Sequence, residues 1–210
     1  MELMIAGLIL FLGSHSLGIF AHDTRAVLLT RLGRNSYRGI YSLVSLIGLF
    51  CISKGYPDAL ASMDWGWNAP IFTKHIAALL MLFACILLVS TYIPKNYIKG
   101  KLKHPMILSV KVWALAHLLA NGQGANIILF GSFLVWAVLY FRIMRKRDKK
   151  AFIDTTSTPN LEQTPSYSGV ATVASLVVGA AFWAVMILGL HYTLFGVYPV
   201  IIPGLVGPSL

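Results

Sequence analysis

Residues 103–122 read KHPMILSVKVWALAHLLANG and place two histidines and a lysine in an otherwise apolar segment. Pro105 suits the first helical position, where its missing N–H removes no hydrogen bond, and Asn121-Gly122 is a usual helix stop. The segment therefore predicts a helix over 105–120. An ionised side chain at membrane depth costs between about 2.5 and more than 10 kcal/mol, so such residues commonly face a bundle interior and carry function.

The composition around this segment indicates an integral membrane protein. Hydrophobic residues make up 57% of the 210 positions and charged residues only 11%, and the mean hydropathy is +0.74. These values exclude an ordinary soluble domain. A net charge of +10 would suggest nucleic-acid binding in a soluble protein, but the distribution of the basic residues gives a simpler explanation.

Six apolar runs are long enough to cross about 30 Å of hydrocarbon. They lie near residues 2–21, 39–56, 70–93, 105–120, 125–143 and 169–190. The sequence therefore predicts an all-α fold, a polytopic transmembrane helical bundle of about six spans. Residues 1–210 form a single predicted domain. Its segment 151–168 is rich in Thr, Ser and Pro and is predicted to be a flexible cytoplasmic linker, and the Pro-broken tail 191–210 is predicted to be short or re-entrant.

Most basic residues fall in the first, third and fifth connecting loops. By the positive-inside rule these loops face the cytoplasm, whereas loops 57–69 and 121–126 and both termini face the outer side of the membrane. The charge then reflects topology and contact with anionic membrane lipids, so we predict no nucleic-acid partner. The basic residues in question are Arg25, Arg31, Arg34, Arg38, Lys95, Lys99, Lys101, Lys103, Arg142, Arg145, Lys146, Arg147, Lys149 and Lys150.

The scarcity of acids and thiols excludes several kinds of site. Glu2 is the only carboxylate near a predicted span, so a carboxylate-bridged di-iron centre or a proton pump lacks its usual residues. Cys51 and Cys85 lie in separate apolar runs without a CxxC or CxxCH motif, so neither a disulfide framework nor covalent haem attachment is indicated.

Two histidines, His15 and His117, lie well inside predicted spans. Each imidazole can form a hydrogen bond with a neighbouring carbonyl or hydroxyl, and in that case its role is structural. Paired imidazoles without nearby acids or thiols also suit haem iron, because imidazole is a good axial ligand and a porphyrin fits between apolar helices. Both interpretations stay open on the spacing alone.

Lys111 is the lysine within the helix over 105–120. It lies about 9 Å along the helix from Pro105, at 1.5 Å per residue, so its ammonium can snorkel to the headgroups. The functional alternative is that it pairs with a carboxylate of the ligand, such as a haem propionate. We predict that Lys111 faces the cavity of the ligand.

Five segments, including residues 103–122, resemble the NnrU family of bacterial membrane proteins, which is similar to the plant and cyanobacterial 15-cis-zeta-carotene isomerase, a b-type haem membrane enzyme. They read GSHSLGIF (13–20), RLGRNSYRGIYSLVSLIGL (31–49), KHIAALLMLFACILL (74–88), KHPMILSVKVWALAHLLANG and LFGSFLVWAVL (129–139). The resemblance implies a bacterial inner membrane, so that the outer side is the periplasm, and a link to nitrite and nitric oxide metabolism. It also implies that His15 and His117 match the histidines regarded as haem ligands in the isomerase. Gln123 departs from the family pattern, in which Asn-Gly-Asp is common, so no role of that acid carries over.

We therefore predict one non-covalent haem b, bound by His15, His117 and Lys111, with the two histidines as iron ligands. By residue count His15 lies about 20 Å from the outer end of its helix and His117 about 5 Å. The two histidines can lie at the same depth in the membrane only if the helix ends are shifted or the helices tilt strongly. His75 matches His117 better in depth and is the reserve ligand.

The resemblance implies an accessory or redox component of nitrite and nitric oxide metabolism, that is, of denitrification, with nitrogen-oxide respiratory proteins as partners. The alternative is a haem-dependent carotenoid cis-trans isomerase that acts on a lipophilic polyene. An isoprenylcysteine methyltransferase-like enzyme is a third hypothesis, weakly suggested by His104-Pro105. The sequence has no further polar motif that could hold a charged nucleotide cofactor, which counts against this third hypothesis.

Overall fold

The computed structural model describes residues 1–156 and 166–200, and these residues are almost entirely helical. Residues 157–165 of the predicted linker and 201–210 of the predicted tail lie outside the described residues. The helices are α1 (Glu2–Phe20), α2 (His22–Leu32), α3 (Arg34–Ser62), α4 (Ile71–Tyr92), α5 (Tyr97–Leu102), α6 (Pro105–Ala120), α7 (Gly124–Thr156), α8 (Gly169–Val185), a π-helical turn (Met186–Leu190) and α9 (His191–Phe195).

The helix lengths confirm a multi-pass, all-α membrane protein. Within the described residues, five helical segments are long and apolar enough to cross a membrane: α1, α3, α4, α7, and α8 with the π turn and α9. Helix α6 begins at Pro105 and ends at Ala120, as predicted. Its 16 residues extend about 24 Å at 1.5 Å per residue, shorter than the hydrocarbon thickness of about 30 Å.

The connections are more helical than predicted, and this corrects three loop boundaries. The first basic loop contains α2. Pro57, predicted in a loop, lies inside α3. Helix α7 continues through the basic residues 142–150 to Thr156, so the predicted linker begins inside a helix. Lys and Arg are good helix formers, and residues added to an existing helix gain a hydrogen bond without a new nucleation step.

The described residues divide into two compact units. The first comprises residues 1–68 and 122–136. The second comprises residues 69–121 and the described residues from 137 onward. Helix α7 contributes its beginning to the first unit and its remainder to the second.

The core of the first unit is formed by α1, α3 and the start of α7. Its buried residues are Met4, Leu8, Ile52, Ala59, Met63 and Ala125. Beside this core, Tyr56 donates a hydrogen bond to Asn126 Oδ1 at 2.6 Å. Asn126 donates in turn to Gln123 Oε1 at 3.4 Å. The residue that departs from the family pattern thus accepts a bond from a buried amide.

Glycines bring α1 and α3 into close contact. A Cβ added to Gly7 would lie 2.6 Å from Ile52 N, and one added to Gly48 would lie 2.8 Å from Phe11 N. Neither position has room for a larger side chain. Small residues at helix crossings allow backbones to approach closely, which is a main source of packing energy between membrane helices.

In the second unit, α4 packs against both α6 and α8. Ser109 on α6 donates a hydrogen bond to the carbonyl of Ala84 on α4 at 2.7 Å. Trp183 on α8 donates to the carbonyl of Ala78 at 2.8 Å. These polar bonds between helices hold α4 against both of its neighbours.

The two loops predicted to face the periplasm are hydrogen-bonded to each other within the first unit. Trp67 N donates to the carbonyl of Gly122 at 3.0 Å, and Gly124 N donates to the carbonyl of Trp65 at 2.9 Å. The two loops therefore lie next to each other. That both face the outer side of the membrane stays a prediction.

Candidate functional site

His15 lies in the first unit among aromatic side chains. Its Nδ1 donates to the carbonyl of Phe11, one turn earlier, at 2.7 Å. The Phe11 ring is stacked on the imidazole with centroids 4.3 Å apart, the Tyr41 ring centroid is 5.2 Å away and the Trp136 centroid is 6.3 Å away. His15 is therefore oriented by one backbone bond and three rings.

Serines beside His15 connect α1 to its neighbours. Ser16 donates to the carbonyl of Leu12 at 2.6 Å, and Trp136 Nε1 on α7 donates to Ser16 Oγ at 3.0 Å. Ser14 Oγ lies 3.3 Å from Ser45 Oγ on α3. The surroundings of His15 are thus polar and internally hydrogen-bonded in spite of their apolar sequence context.

His117 lies in the second unit and makes the same local bond as His15. Its Nδ1 donates to the carbonyl of Trp113 at 2.8 Å, and the two ring centroids are 5.0 Å apart. Asn121, which ends α6, donates its side-chain amide to the carbonyl of His117 at 3.0 Å. Donation from Nδ1 fixes the neutral ring in the tautomer whose Nε2 carries the lone pair.

A cavity of about 130 Å³ lies beside His117 within the second unit. Polar residues line it where α4 begins, where α6 ends and where α9 begins: Lys74, Asn121 and His191 join His117 there. The rest of the lining is mainly apolar and consists of Ala77, Ala78, Met81, Cys85, Ala116, Ala120, Trp183, Met186, Ile187 and residues 197–199.

Two features of the sequence create this space. Four of the lining residues are alanines, which fill little volume. Met186 and Ile187 belong to the π turn, which is a kink rather than a regular helical turn, because Gly189 within it has a non-helical backbone with φ 169° and ψ −26°. The π turn leads directly into His191, whose Nδ1 donates to the carbonyl of Val197 at 2.7 Å.

Lys111 and His75 have other surroundings. Lys111 Nζ lies 5.3 Å from the centroid of the Phe141 ring on α7, and Lys111 is absent from the lining of the His117 cavity. His75 is exposed, and its neighbour Lys74 lines the cavity instead. The roles predicted for Lys111 as a propionate partner and for His75 as the reserve ligand stay predictions.

The sequence pattern missed Lys74, Asn121 and His191. Lys74 and His191 lie near the ends of predicted spans, where a polar residue needs no special explanation, and the sequence predicts Asn121 as a helix stop and as a hydrogen-bond partner of His117 rather than as part of a ligand site. One signal was present: Lys74, Ala77, Ala78, Met81 and Cys85 follow the spacing of a single helix face, and the structure places that face of α4 on the cavity. The contribution of His191 depends on the π turn.

His104 has a structural role in the second unit. Its Nε2 lies 2.9 Å from Asp148 Oδ2 on α7, and its ring stands edge-on to Phe141 with centroids 6.4 Å apart. Asp148 is therefore the ionic partner of the residue that precedes α6. The side chain of His104, which weakly suggested a methyltransferase, is engaged in joining α6 to α7.

The donor chemistry fits an axial haem ligand. A histidine that binds a metal through Nε2 normally donates Nδ1–H to a carbonyl or carboxylate, which orients the ring and raises its basicity. Both His15 and His117 make that bond. The cavity of about 130 Å³ is smaller than the roughly 300 to 1,000 Å³ of sites that enclose drug-sized ligands. As it stands, it accommodates a small ligand or one edge of a porphyrin.

A protein-bound metal ion without a porphyrin finds no support in the described residues. Among the side chains that the structure describes, which leave out those of residues 22–23 and 154–165 and of the tail from 201, no group of three or more histidine, cysteine, aspartate or glutamate residues could hold a metal ion. A metal at His117 would therefore need ligands from a cofactor or from water.

Comparison with known proteins identifies a family. One family model, described as "NnrU protein", matches residues 3–199. No curated protein matches the chain, and no solved structure matches it.

Proposed function

The chain belongs to the NnrU family, and from this premise we propose that it is an integral membrane protein that binds one haem b. In this proposal it serves nitrite and nitric oxide metabolism as an accessory or redox component. His15 and His117 are the proposed axial ligands. The proposed location is the inner membrane of a bacterium, with both termini in the periplasm and nitrogen-oxide respiratory proteins as partners.

The observation that carries the proposal is the environment of His117. The ring stands at the wall of a cavity, its Nδ1 is committed to the carbonyl of Trp113, and its tautomer presents the lone pair at Nε2. His15 supports the proposal because its Nδ1 also donates to a carbonyl one turn earlier in its own helix, that of Phe11. Bound haem would supply an iron that carries electrons, and it would bind a diatomic gas only if one of the two histidines left the iron.

The cofactor proposal is tested by the absorption spectrum of the purified protein from haem-replete cells. We expect a Soret band that is lost in His15→Ala and in His117→Ala and retained in His75→Ala. A colourless wild-type protein would refute haem binding. Retention in His15→Ala together with loss in His75→Ala would transfer the second ligand to the reserve residue. His191→Ala tests the histidine that shares the cavity with His117.

The physiological role is tested in a deletion strain grown under denitrifying conditions. We expect slower nitrite or nitric oxide reduction, restored by the wild-type gene and not by the gene for His117→Ala. Unchanged reduction rates in the deletion strain would count against an accessory role in this metabolism.

The alternative of a lipophilic substrate is favoured by the apolar part of the cavity, where Met81, Trp183 and Met186 lie. A polyene that arrives laterally from the bilayer would meet these side chains. The test is expression in a carotenoid-producing host that lacks its own isomerase. Conversion of the 15-cis substrate would establish the isomerase function, and its absence together with the denitrification defect would favour the accessory role.

A further inference from the structure

An open groove of about 440 Å³ lies in the second unit, beside the start of α6 and the last third of α7. We call it the basic groove. Four cations, one acid and one aromatic ring line it: Lys103, Arg145, Lys146, Lys149, Asp148 and Phe152. This lining shares no residue with the His117 cavity, so the groove is independent of the proposed haem site.

The acid in the groove already has a partner. Asp148 Oδ2 lies 2.9 Å from His104 Nε2, and Lys103 directly precedes His104 in the sequence. The ion pair therefore holds Lys103 close to the cations of α7. The groove contains four cations and one acid, so positive charge is in excess. The acid, Asp148, is in addition engaged with His104.

The backbone conformation of Lys103 indicates that the surrounding structure fixes this side of the basic groove. Its φ is +62° and its ψ is −44°, and His104 N donates to the carbonyl of Leu102 at 2.7 Å across it, a tight three-residue turn that is rare and strained. Such conformations persist where the surrounding structure enforces them, and they cluster at functional sites. Here the conformation ends α5 and turns the chain into α6, next to the ion pair.

The position of the groove along α7 favours a lipid over a soluble anion. The apolar stretch of α7 ends at Arg142, so Arg145 and Lys149 lie about 5 and 10 Å beyond it at 1.5 Å per residue, near the level of the headgroups. Phe152 is 67% exposed. An exposed phenyl ring beside four cations suits an amphiphile better than a hydrated polyanion.

We propose that the basic groove is a binding site for the headgroup of an anionic phospholipid. The lysines and Arg145 bind the phosphate oxygens, and Phe152 contacts the apolar part of the same lipid. Basic pockets next to transmembrane helices bind such headgroups, and each cation near the membrane surface contributes roughly a fivefold factor in affinity.

The test compares two double variants with the same loss of charge. Arg145→Gln with Lys149→Gln removes two cations of the groove, whereas Arg142→Gln with Lys150→Gln removes two cations of the same helix that do not line it. Native mass spectrometry of the purified protein with diphosphatidylglycerol counts the bound lipids. We expect roughly 25-fold weaker binding in the groove variant, one fivefold factor per cation, and less than about twofold weakening in the control.

Three outcomes would overturn the proposal. Equal weakening in both variants would show that net charge alone attracts the lipid. Equal binding of phosphatidylcholine to the wild type would show that headgroup charge is not recognised. Displacement of the lipid by micromolar inorganic pyrophosphate would assign the groove to a soluble phosphate compound. The thermal unfolding midpoint in detergent, unchanged in both variants, verifies that they are folded.

Discussion

The two histidines inside the membrane helices share one local bond but have different surroundings. His15 donates to the carbonyl of Phe11 and is enclosed by aromatic rings. His117 donates to the carbonyl of Trp113 and lines a cavity of about 130 Å³. The bond to the preceding turn is a local property of a helical histidine, whereas the space beside it depends on how the neighbouring helices pack.

The packing differs because the two units use small residues differently. In the first unit, Gly7, Gly48 and Gly55 allow α1 and α3 to touch backbone to backbone. In the second unit, alanines and the π turn leave space between α4, α6 and α8. Glycines thus bring helices into close contact in both units, since a Cβ added to Gly179 would lie 2.6 Å from Ile86 Cα, whereas in the second unit alanines also leave a cavity.

The substitution with the largest expected effect tests the close contact between α1 and α3. In Gly55→Ala the new Cβ would collide with Met4 N and lie 2.9 Å from Met4 Cα. Because both atoms belong to the backbone of α1, the helices must separate. We expect a loss of about 3 kcal/mol in the free energy of unfolding, the upper range for overpacking, measured by denaturant titration in detergent.

Gly13→Ala is the matched control in the same unit. A Cβ at Gly13 would meet nothing within 4 Å outside its immediate helical neighbours, and Ala is favoured over Gly within a helix by roughly 0.5 to 1 kcal/mol. We expect equal or slightly higher stability. Similar losses in Gly13→Ala and Gly55→Ala would contradict the close contact between α1 and α3.

The fold was largely predictable from apolar runs and stop signals. Helix α6 begins at Pro105 and ends at Ala120 because proline and Asn-Gly act locally. The ends of α3 and α7 were placed too early because polar residues that continue a helix resemble a loop in composition. The sequence does not distinguish a charged helical extension of α7 from a charged loop.

The candidate site was less predictable because it depends on tertiary packing. His15 and His117 were found as polar residues within apolar runs. Lys74 and His191 are missed because a residue near a span end needs no special explanation, and because Gly189, where the backbone is kinked before His191, is easily interpreted as an ordinary glycine of an apolar span. Which lysine meets a ligand depends on helix rotation, and here Lys74 rather than Lys111 lines the cavity.

The second prediction fills the cavity. Ala120→Leu adds three carbon atoms at a residue that lines it, so we expect bound haem to fall by about half or more. We expect the free energy of unfolding to change by no more than about 1 kcal/mol, because the larger side chain enters space that is already empty and displaces few neighbouring atoms. Haem content per protein is measured by the pyridine haemochrome spectrum. Ala181→Leu, at an exposed position of α8, is the control, and equal haem loss in both variants would argue against this cavity.

The third prediction separates the two lysines. Lys74→Met and Lys111→Met each remove one charge and keep an unbranched chain. Because Lys74 lines the cavity and Lys111 lies over Phe141, we expect haem to dissociate several-fold faster from Lys74→Met than from the wild type. Transfer of haem to apomyoglobin measures the rate. Faster loss from Lys111→Met alone would support Lys111 as the propionate partner.

The smallest effect is expected for the replacement of one tryptophan in each unit. Trp136 Nε1 donates to Ser16 Oγ at 3.0 Å, and Trp183 Nε1 donates to the carbonyl of Ala78 at 2.8 Å. Replacing either residue by Phe removes the donor and keeps an aromatic ring. We expect each variant to lose about 1 kcal/mol in the free energy of unfolding, the usual net contribution of one hydrogen bond.

The two tryptophan variants should differ in a second readout. Trp183 also lines the His117 cavity, whereas the ring centroid of Trp136 lies 6.3 Å from that of His15. A smaller ring at Trp183 enlarges the cavity, so Trp183→Phe should shift the Soret maximum or the rate of haem loss at unchanged haem content. Trp136→Phe should leave both close to the wild-type values if His15 is held mainly by its bond to Phe11. A spectral shift in Trp136→Phe alone would mean that the packed surroundings of His15, and not the cavity at His117, govern the cofactor.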